Sequence, residues 1–207
     1  MKLKFDPNQQ YQLDAIQAVV NIFTGQPKDG DGANRHMDQD GQLSLEATIA
    51  KGNSLTLDAA QIIKNTHKIQ EKNGIEKSET KEGGFSIPTT FPLEIGEKSL
   101  KYGMNFSVEM ETGTGKTYVY LRTIHELHQH YDWKKFIIVV PSVAIREGVL
   151  KNLAITREHF ADLYSKPEMD YYVWDSKKIG QAREFATNDT LQIMVITIDS
   201  FAKAQNV

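Results

Sequence analysis

Apolar residues at Ile16, Val19, Val20 and Phe23 recur at i, i+3, i+4 and i+7, the spacing of one buried helical stripe. Upstream, Asp6 is placed to cap, Pro7 suits a first helical position, and Gln9 stands three residues after Asp6 as in a capping box. These signals predict a helix over Pro7–Thr24, terminated at Gly25. From residue 26 to about 52 the chain turns polar and rich in Gly, Asp and Asn, which reads as a loop or mobile insertion with a short strand near Gln42–Ile49. A second helix is expected over Thr56–Asn73, ended by Gly74, then a charged break at 76–84 and an irregular apolar segment, Phe85–Leu93. After Gly103 the rhythm changes. Asn105–Met110 reads as a strand and Lys116–Tyr131 as a helix with Leu121, Ile124 and Leu127 inward. Phe136–Val140 is almost continuously apolar, which predicts a parallel strand buried on both faces. A helix over Ile145–Leu153 and strands over Tyr171–Trp174 and Gln192–Ile198 follow. Strands and helices alternating in such units imply parallel crossovers, and so an α/β fold with a mostly parallel sheet.

Composition narrows the class. The 207 residues suffice for one domain with a sizeable core, or one domain and an appendage. A formal charge of -3 weighs against a strongly basic nucleic-acid binder, although a local basic patch is compatible with it. The chain has no cysteine, which excludes disulfides, thiolate metal sites and cysteine nucleophiles, and fits a reducing cytoplasm. The start, MKLKFDPNQQ, lacks the apolar run of a secretory signal, and no stretch approaches the ~18 apolar residues of a membrane span.

The chemistry concentrates in residues 109–117, EMETGTGKT. Glycines between a strand and a helix let the backbone curl so that several N–H groups point at phosphate oxygens. The helix adds its unpaired first-turn N–H groups and the positive end of its dipole. Thr112, Gly113, Thr114 and Gly115 would form the cradle, Lys116 would reach the β- and γ-phosphates, and the Thr117 hydroxyl would hold Mg²⁺. The full phosphate-loop pattern asks for a glycine where Met110 stands.

With that departure, the pattern resembles motif I of the superfamily 2 helicases and translocases. Residues 11–16, YQLDAI, are similar to the segment that precedes motif I in these ATPases, and the resemblance makes Gln12 the adenine-recognising residue. An amide, with one donor and one acceptor face, suits the adenine edge. Without the motif beside it, Gln12 reads as a polar residue on an amphipathic helix. VVPSVAIREGV at 139–149 looks like motif Ia, which implies nucleic-acid backbone contacts through Ser142 and Arg146; the plain alternative is an ordinary strand-to-helix turn. VITIDSF at 195–201 resembles the next DNA-contacting segment and singles out Thr197 and Ser200. Together these stretches resemble the N-terminal part of the Res (restriction) subunit of type III restriction–modification enzymes over roughly residues 1–25 and 103–207.

That resemblance implies a RecA-like lobe with an incomplete sheet, ATP and Mg²⁺ as cofactors, Lys116 as the catalytic residue, double-stranded DNA as substrate and a modification methyltransferase (Mod) subunit as partner. It divides the chain into an N-terminal helix (1–25), an insertion (26–102) and the ATP-binding lobe (103–207). Other superfamily 2 helicases or type I restriction motors remain as alternatives, as does a stand-alone nucleotide-binding regulatory module. The family's acidic Mg²⁺-holding box has no counterpart here, since no Asp-Glu pair follows Thr117. The expectation is therefore a fragment or truncated copy that binds nucleotide without useful hydrolysis, and whose open sheet edge favours self-association. His125, His128 and His130 read as solvated side chains at a negative helix end rather than as a metal site, and the Asp29–Gly32 run reads as a turn rather than a calcium loop.

Overall fold

A computed structural model describes residues 4–28, 52–81, 83–86, 93–95, 98–100 and 102–204. They fall into two compact units, one drawn from Met1–Pro7, Pro27–Ser54 and Thr117–Val207, the other from Asn8–Gln26 and Leu55–Lys116. The strand expected at Gln42–Ile49 and the Asp29–Gly32 turn lie outside the described residues.

The smaller unit begins with α1 (Gln10–Ile22) and α2 (Ala59–Lys72), which pack together. Helix α1 starts later than the sequence suggested. Gln9 takes the N-cap position without a side-chain cap bond, so neither Asp6 nor Pro7 starts the helix. Its buried residues are Gln12, Ile16, Val20 and Ile22. In α2, the Asp58 carboxylate accepts from the Gln61 N–H, a true N-cap. The buried Asn65 amide donates to the carbonyls of Ile22 and Thr24, both at 2.9 Å, and so satisfies the end of α1. Strands β1 (Thr80–Lys81), β2 (Gly84–Ser86) and β5 (Tyr102–Gly103) form an antiparallel sheet in the order β1-β2-β5, while β3 (Leu93–Ile95) and β4 (Lys98–Leu100) pair with each other. Gly84 is required by close approach, because a Cβ there would stand 2.7 Å from the Gly103 nitrogen.

Beyond β5 the backbone leaves the ladder. Residues 105–110 form no strand, contrary to the sequence expectation. The alternation that suggested one is spent differently. Phe106 packs edge-on against Phe85 at 5.6 Å, and Phe106 and Val108 stay exposed instead of entering a sheet.

The larger unit contains α3 (Lys116–Tyr131, from Thr117 on), β6 (Lys135–Val140), α4 (Val143–Leu163), β7 (Met169–Val173), α5 (Ile179–Thr187), β8 (Leu191–Thr197) and α6 (Ile198–Ala204). The sheet is wholly parallel, in the order β6-β8-β7. All seven residues of β8 are buried, and Leu191, Ile193 and Val195 pack with Leu121, Ile124, Val149, Leu153 and Phe160 of α3 and α4. The expected two-sided burial therefore belongs to β8 and not to β6. Ile137 and Val139 of β6 are nearly half exposed, because among the described residues β6 pairs only with β8. The Asn53 amide caps the β6 backbone at its start, donating to Lys135 O at 2.7 Å and accepting from the N–H groups of Lys134 and Lys135. Helix α4 runs ten residues beyond the expected end at Leu153, since Thr156 and Phe160 continue its buried face.

Polar groups buried with this core are mostly paired. Arg122 donates to Pro7 O at 2.6 Å and to the Tyr164 hydroxyl at 3.0 Å, and lies 3.6 Å from Glu126; the Tyr164 hydroxyl in turn donates to Glu126 at 2.6 Å. Burial, then the bond to Glu126, pushes the Tyr164 phenol up. His125 corrects the solvated reading of the histidines. It is buried, stacked at 5.1 Å on Tyr164, and its Nδ1 has no hydrogen-bond partner among the described residues. His128 is half-buried against the Trp133 carbonyl, and only His130 is exposed to the degree expected. Trp133 is a core residue, whereas Trp174 is half-buried.

Burial, then the nearby His128, lowers the His125 pKa from 6.5 to about 4. The unfolded imidazole thus takes up a proton that the folded one refuses between those values, and stability falls as pH drops from 6.5 towards 4. A His125→Phe variant should lose less stability than the parent over that window, by on the order of 3 kcal/mol, in denaturant titrations at successive pH values. Identical pH profiles would refute the assignment. For the β6 edge, unpaired among the described residues, sedimentation at high concentration should show self-association that Ile137→Lys reduces; a strictly monomeric parent would refute it.

Candidate functional site

The candidate phosphate loop, 111–116, is shaped by two glycines with left-handed backbone, Gly113 at φ +85° and Gly115 at φ +83°. Side chains other than glycine adopt that region only under strain. Between these turns the loop closes on one acceptor. The carbonyl of Glu111 receives the Thr114 hydroxyl at 2.6 Å and the Lys116 ammonium at 2.8 Å. Lys116 is the first residue of α3, a helix of 16 residues with no acidic side chain in its first turn. Its dipole and its free N–H groups therefore face no competing carboxylate there. Thr117 sits one residue further on and is half-buried, and burial pushes up the phenol of Tyr120 on the next turn.

Gln12 is buried on α1, and its Nε2 donates to the Thr114 carbonyl at 2.9 Å. The fold thus brings together two sequence features 102 residues apart. Its amide oxygen accepts no bond among the described residues. Thr112 and Gly113 are exposed beside it and Thr114 is half-buried. Met110, which stands in place of the usual first glycine, is half-buried and lines a cavity of about 970 Å³ together with Tyr11, Asp14, Gln70, Phe106 and Thr114.

The donor set suits a polyphosphate: an ammonium, hydroxyls and first-turn N–H groups, with no carboxylate at the helix start. For a divalent cation the chain offers the Thr117 hydroxyl, and among the described residues no cluster of three His, Asp or Glu could hold a metal. The fit is therefore to a metal carried with the phosphates, in the manner of phosphate-loop proteins.

The remaining candidates gather at another place, the carboxyl ends of parallel strands. Val140 lies opposite Thr197 in the β6–β8 register, so the segments that follow the two strands emerge side by side. Ser142 is the N-cap of α4, its Oγ accepting from Ile145 N at 3.3 Å. Arg146, in the first turn of α4, donates to Glu147 through Nε at 3.1 Å and Nη2 at 2.8 Å. Thr197 is buried and donates to the Ser200 hydroxyl at 2.9 Å. In open α/β sheets such strand ends are where ligands bind. Sequence reasoning did not foresee the Glu111 carbonyl as the loop's internal acceptor, because a backbone group carries no residue signature.

A parallel sheet flanked by helices, with a glycine-turned candidate phosphate loop opening α3, defines an α/β protein of the RecA-like class. Comparison with known proteins carries this further. The model of the family described as "Type III restriction enzyme, res subunit" matches residues 6–207, and the chain belongs to that family. It is 31% identical over 205 residues to the type III restriction-modification enzyme EcoPI Res subunit of Escherichia phage P1, covering 98% of this chain and 17% of that protein. It is 29% identical over 204 residues to the EcoP15I Res subunit of Escherichia coli, with 97% and 17% covered. Over 68 residues it is 48% identical to the StyLTI Res subunit of Salmonella typhimurium, 32% of this chain and 7% of that protein. The chain thus spans about one sixth of the length of the first two relatives. Among the described residues no helix is long and apolar enough to cross a membrane.

Replacing Gln12 by Leu removes the donor that holds the Thr114 carbonyl. The loss is expected to be about 1 kcal/mol locally, read as roughly five- to tenfold faster hydrogen exchange of the amides of residues 112–116. Unchanged exchange would show that Gln12 does not hold the loop.

Proposed function

We propose that this chain is the ATP-binding lobe of a DNA-dependent ATPase or translocase subunit of a type III restriction endonuclease, which cleaves double-stranded DNA in complex with its Mod methyltransferase. The observation that carries the reading is the junction of Gln12, the Thr114 carbonyl and Lys116 at the start of α3, within a chain of the Res family. In this reading residues 1–25 bring adenine recognition, 103–207 form the ATP-binding lobe, and 26–102 are an insertion. The assembly works in the cytoplasm.

The chemistry follows from the donors. Thr112–Gly115 wrap their backbone N–H groups around the phosphates, and the α3 dipole favours their charge. Lys116 exchanges the Glu111 carbonyl for β- and γ-phosphate oxygens, where its charge opposes the build-up of negative charge as the terminal phosphoryl group leaves. Mg²⁺, when bound, neutralises phosphate charge, and the Thr117 hydroxyl is the group of this chain that would hold it. Gln12 keeps its donor on the loop and offers its amide oxygen to the adenine amino group, so base and phosphates are sensed by one side chain. The cavity beside Tyr11 and Thr114 has the size and mixed lining of a nucleoside pocket. At the other place, Ser142, Arg146 and Ser200 contact the DNA backbone while buried Thr197 orients Ser200. Turnover requires further groups that position water and stabilise the leaving charge. This lobe alone therefore binds nucleotide and does not turn it over usefully.

Lys116→Ala should weaken binding of a fluorescent ATP analogue at least tenfold and leave thermal stability unchanged, since its ammonium is exposed. Equal affinity of parent and variant would overturn the nucleotide assignment, and steady ATP hydrolysis by this chain alone would overturn the division of labour.

A further inference from the structure

We propose that the face of α2 carrying Lys64, Lys68 and Lys72 is a contact surface for the phosphate backbone of duplex DNA. The three lysines are exposed and stand at i, i+4 and i+8. At 3.6 residues per turn they occupy an arc of about 80° over about 12 Å of helix axis. Like charges four residues apart oppose helix formation, and no ion pair among the described residues relieves them. None of the three forms an ion pair among the described residues, and the single acid of α2, Glu71, is paired with Lys77 at 3.4 Å. Asp58 is committed to capping the helix.

The direction of this face is fixed by the rest of α2. Ile62, Asn65 and Thr66 are buried, with the Asn65 amide bonded to the end of α1. His67 and Gln70 hold Ser78. The lysine row is thus presented outward on a braced helix, in a protein whose formal charge is -3. Each strand of duplex DNA carries one phosphate per about 3.4 Å of axis, so a row of about 12 Å meets three to four phosphates. A membrane surface fits less well. The exposed residues of α2 include no aromatic or large aliphatic side chain to enter the lipid boundary. The proposal rests on the reading that duplex DNA is the substrate, and it gives the otherwise unassigned insertion a task.

The test is fluorescence anisotropy of a labelled short duplex titrated with the whole chain across a series of salt concentrations. The triple variant K64Q/K68Q/K72Q should bind at least ~tenfold more weakly at low salt and lower the slope of log affinity against log salt by about 3. Its melting temperature should be equal or higher, because like-charge pairs have been removed. Unchanged affinity and slope in the triple variant would overturn the proposal. So would failure of the parent to bind duplex, or binding to phosphatidylserine vesicles that the triple variant loses while duplex binding persists. If duplex binding survives the triple substitution but is lost in Arg146→Gln, this surface fails and the proposed function stands. If the parent binds neither duplex nor the ATP analogue, that function fails as well.

Discussion

The burial of β8 is the constraint on which the larger unit depends. A strand whose seven side chains are all removed from water must be paired on both edges and covered on both faces. β6 and β7 satisfy its backbone, and α3 and α4 cover Leu191, Ile193 and Val195. Once that register is set, Val140 must lie beside Thr197, and the turns carrying Ser142 and Ser200 must leave the sheet together. The same packing buries Leu121 and Ile124 and so anchors α3, whose first residue is Lys116. A slip of one residue in β8 would turn each of these side chains to the opposite face.

The smaller unit solves a different problem. It has two helices and short antiparallel strands, and its polar side chains do much of the joining. Asn65 closes the end of α1, Gln26 accepts from the Thr56 N–H, and Gln12 holds the glycine loop at Thr114. Buried amides suit this because each offers both a donor and an acceptor to backbone groups that lack partners. Gln12 shows how one residue can serve fold and site together. Its nitrogen stabilises the loop while its oxygen remains available.

The almost continuous apolar run at Phe136–Val140 and the run at Gln192–Ile198 both marked strands correctly, but apolar content alone misassigned which is buried on both faces. Ile137 and Val139 are as apolar as any residue of β8, yet they are half exposed. Asn105–Met110 failed for a related reason. Its period of two is that of a strand, but a strand exists only where a neighbour supplies a ladder, and Phe106 finds Phe85 instead. The buried state of His125 was equally illegible, since it follows from partners distant in sequence.

By itself, the sequence determined what is local. The glycines at 113 and 115 fix a left-handed turn because only they adopt it freely, and the residues after them start a helix with a lysine and a threonine at its mouth. Helical periodicity likewise fixed which faces of α1 and α3 turn inward. Tertiary structure alone decided that Gln12 reaches Thr114, that Lys116 and Thr114 share the Glu111 carbonyl, and that Ser142 and Thr197 lie at neighbouring strand ends. Local preferences act over a few residues through sterics and capping, whereas these contacts arise only when burial brings distant segments together and each buried polar group must find a partner.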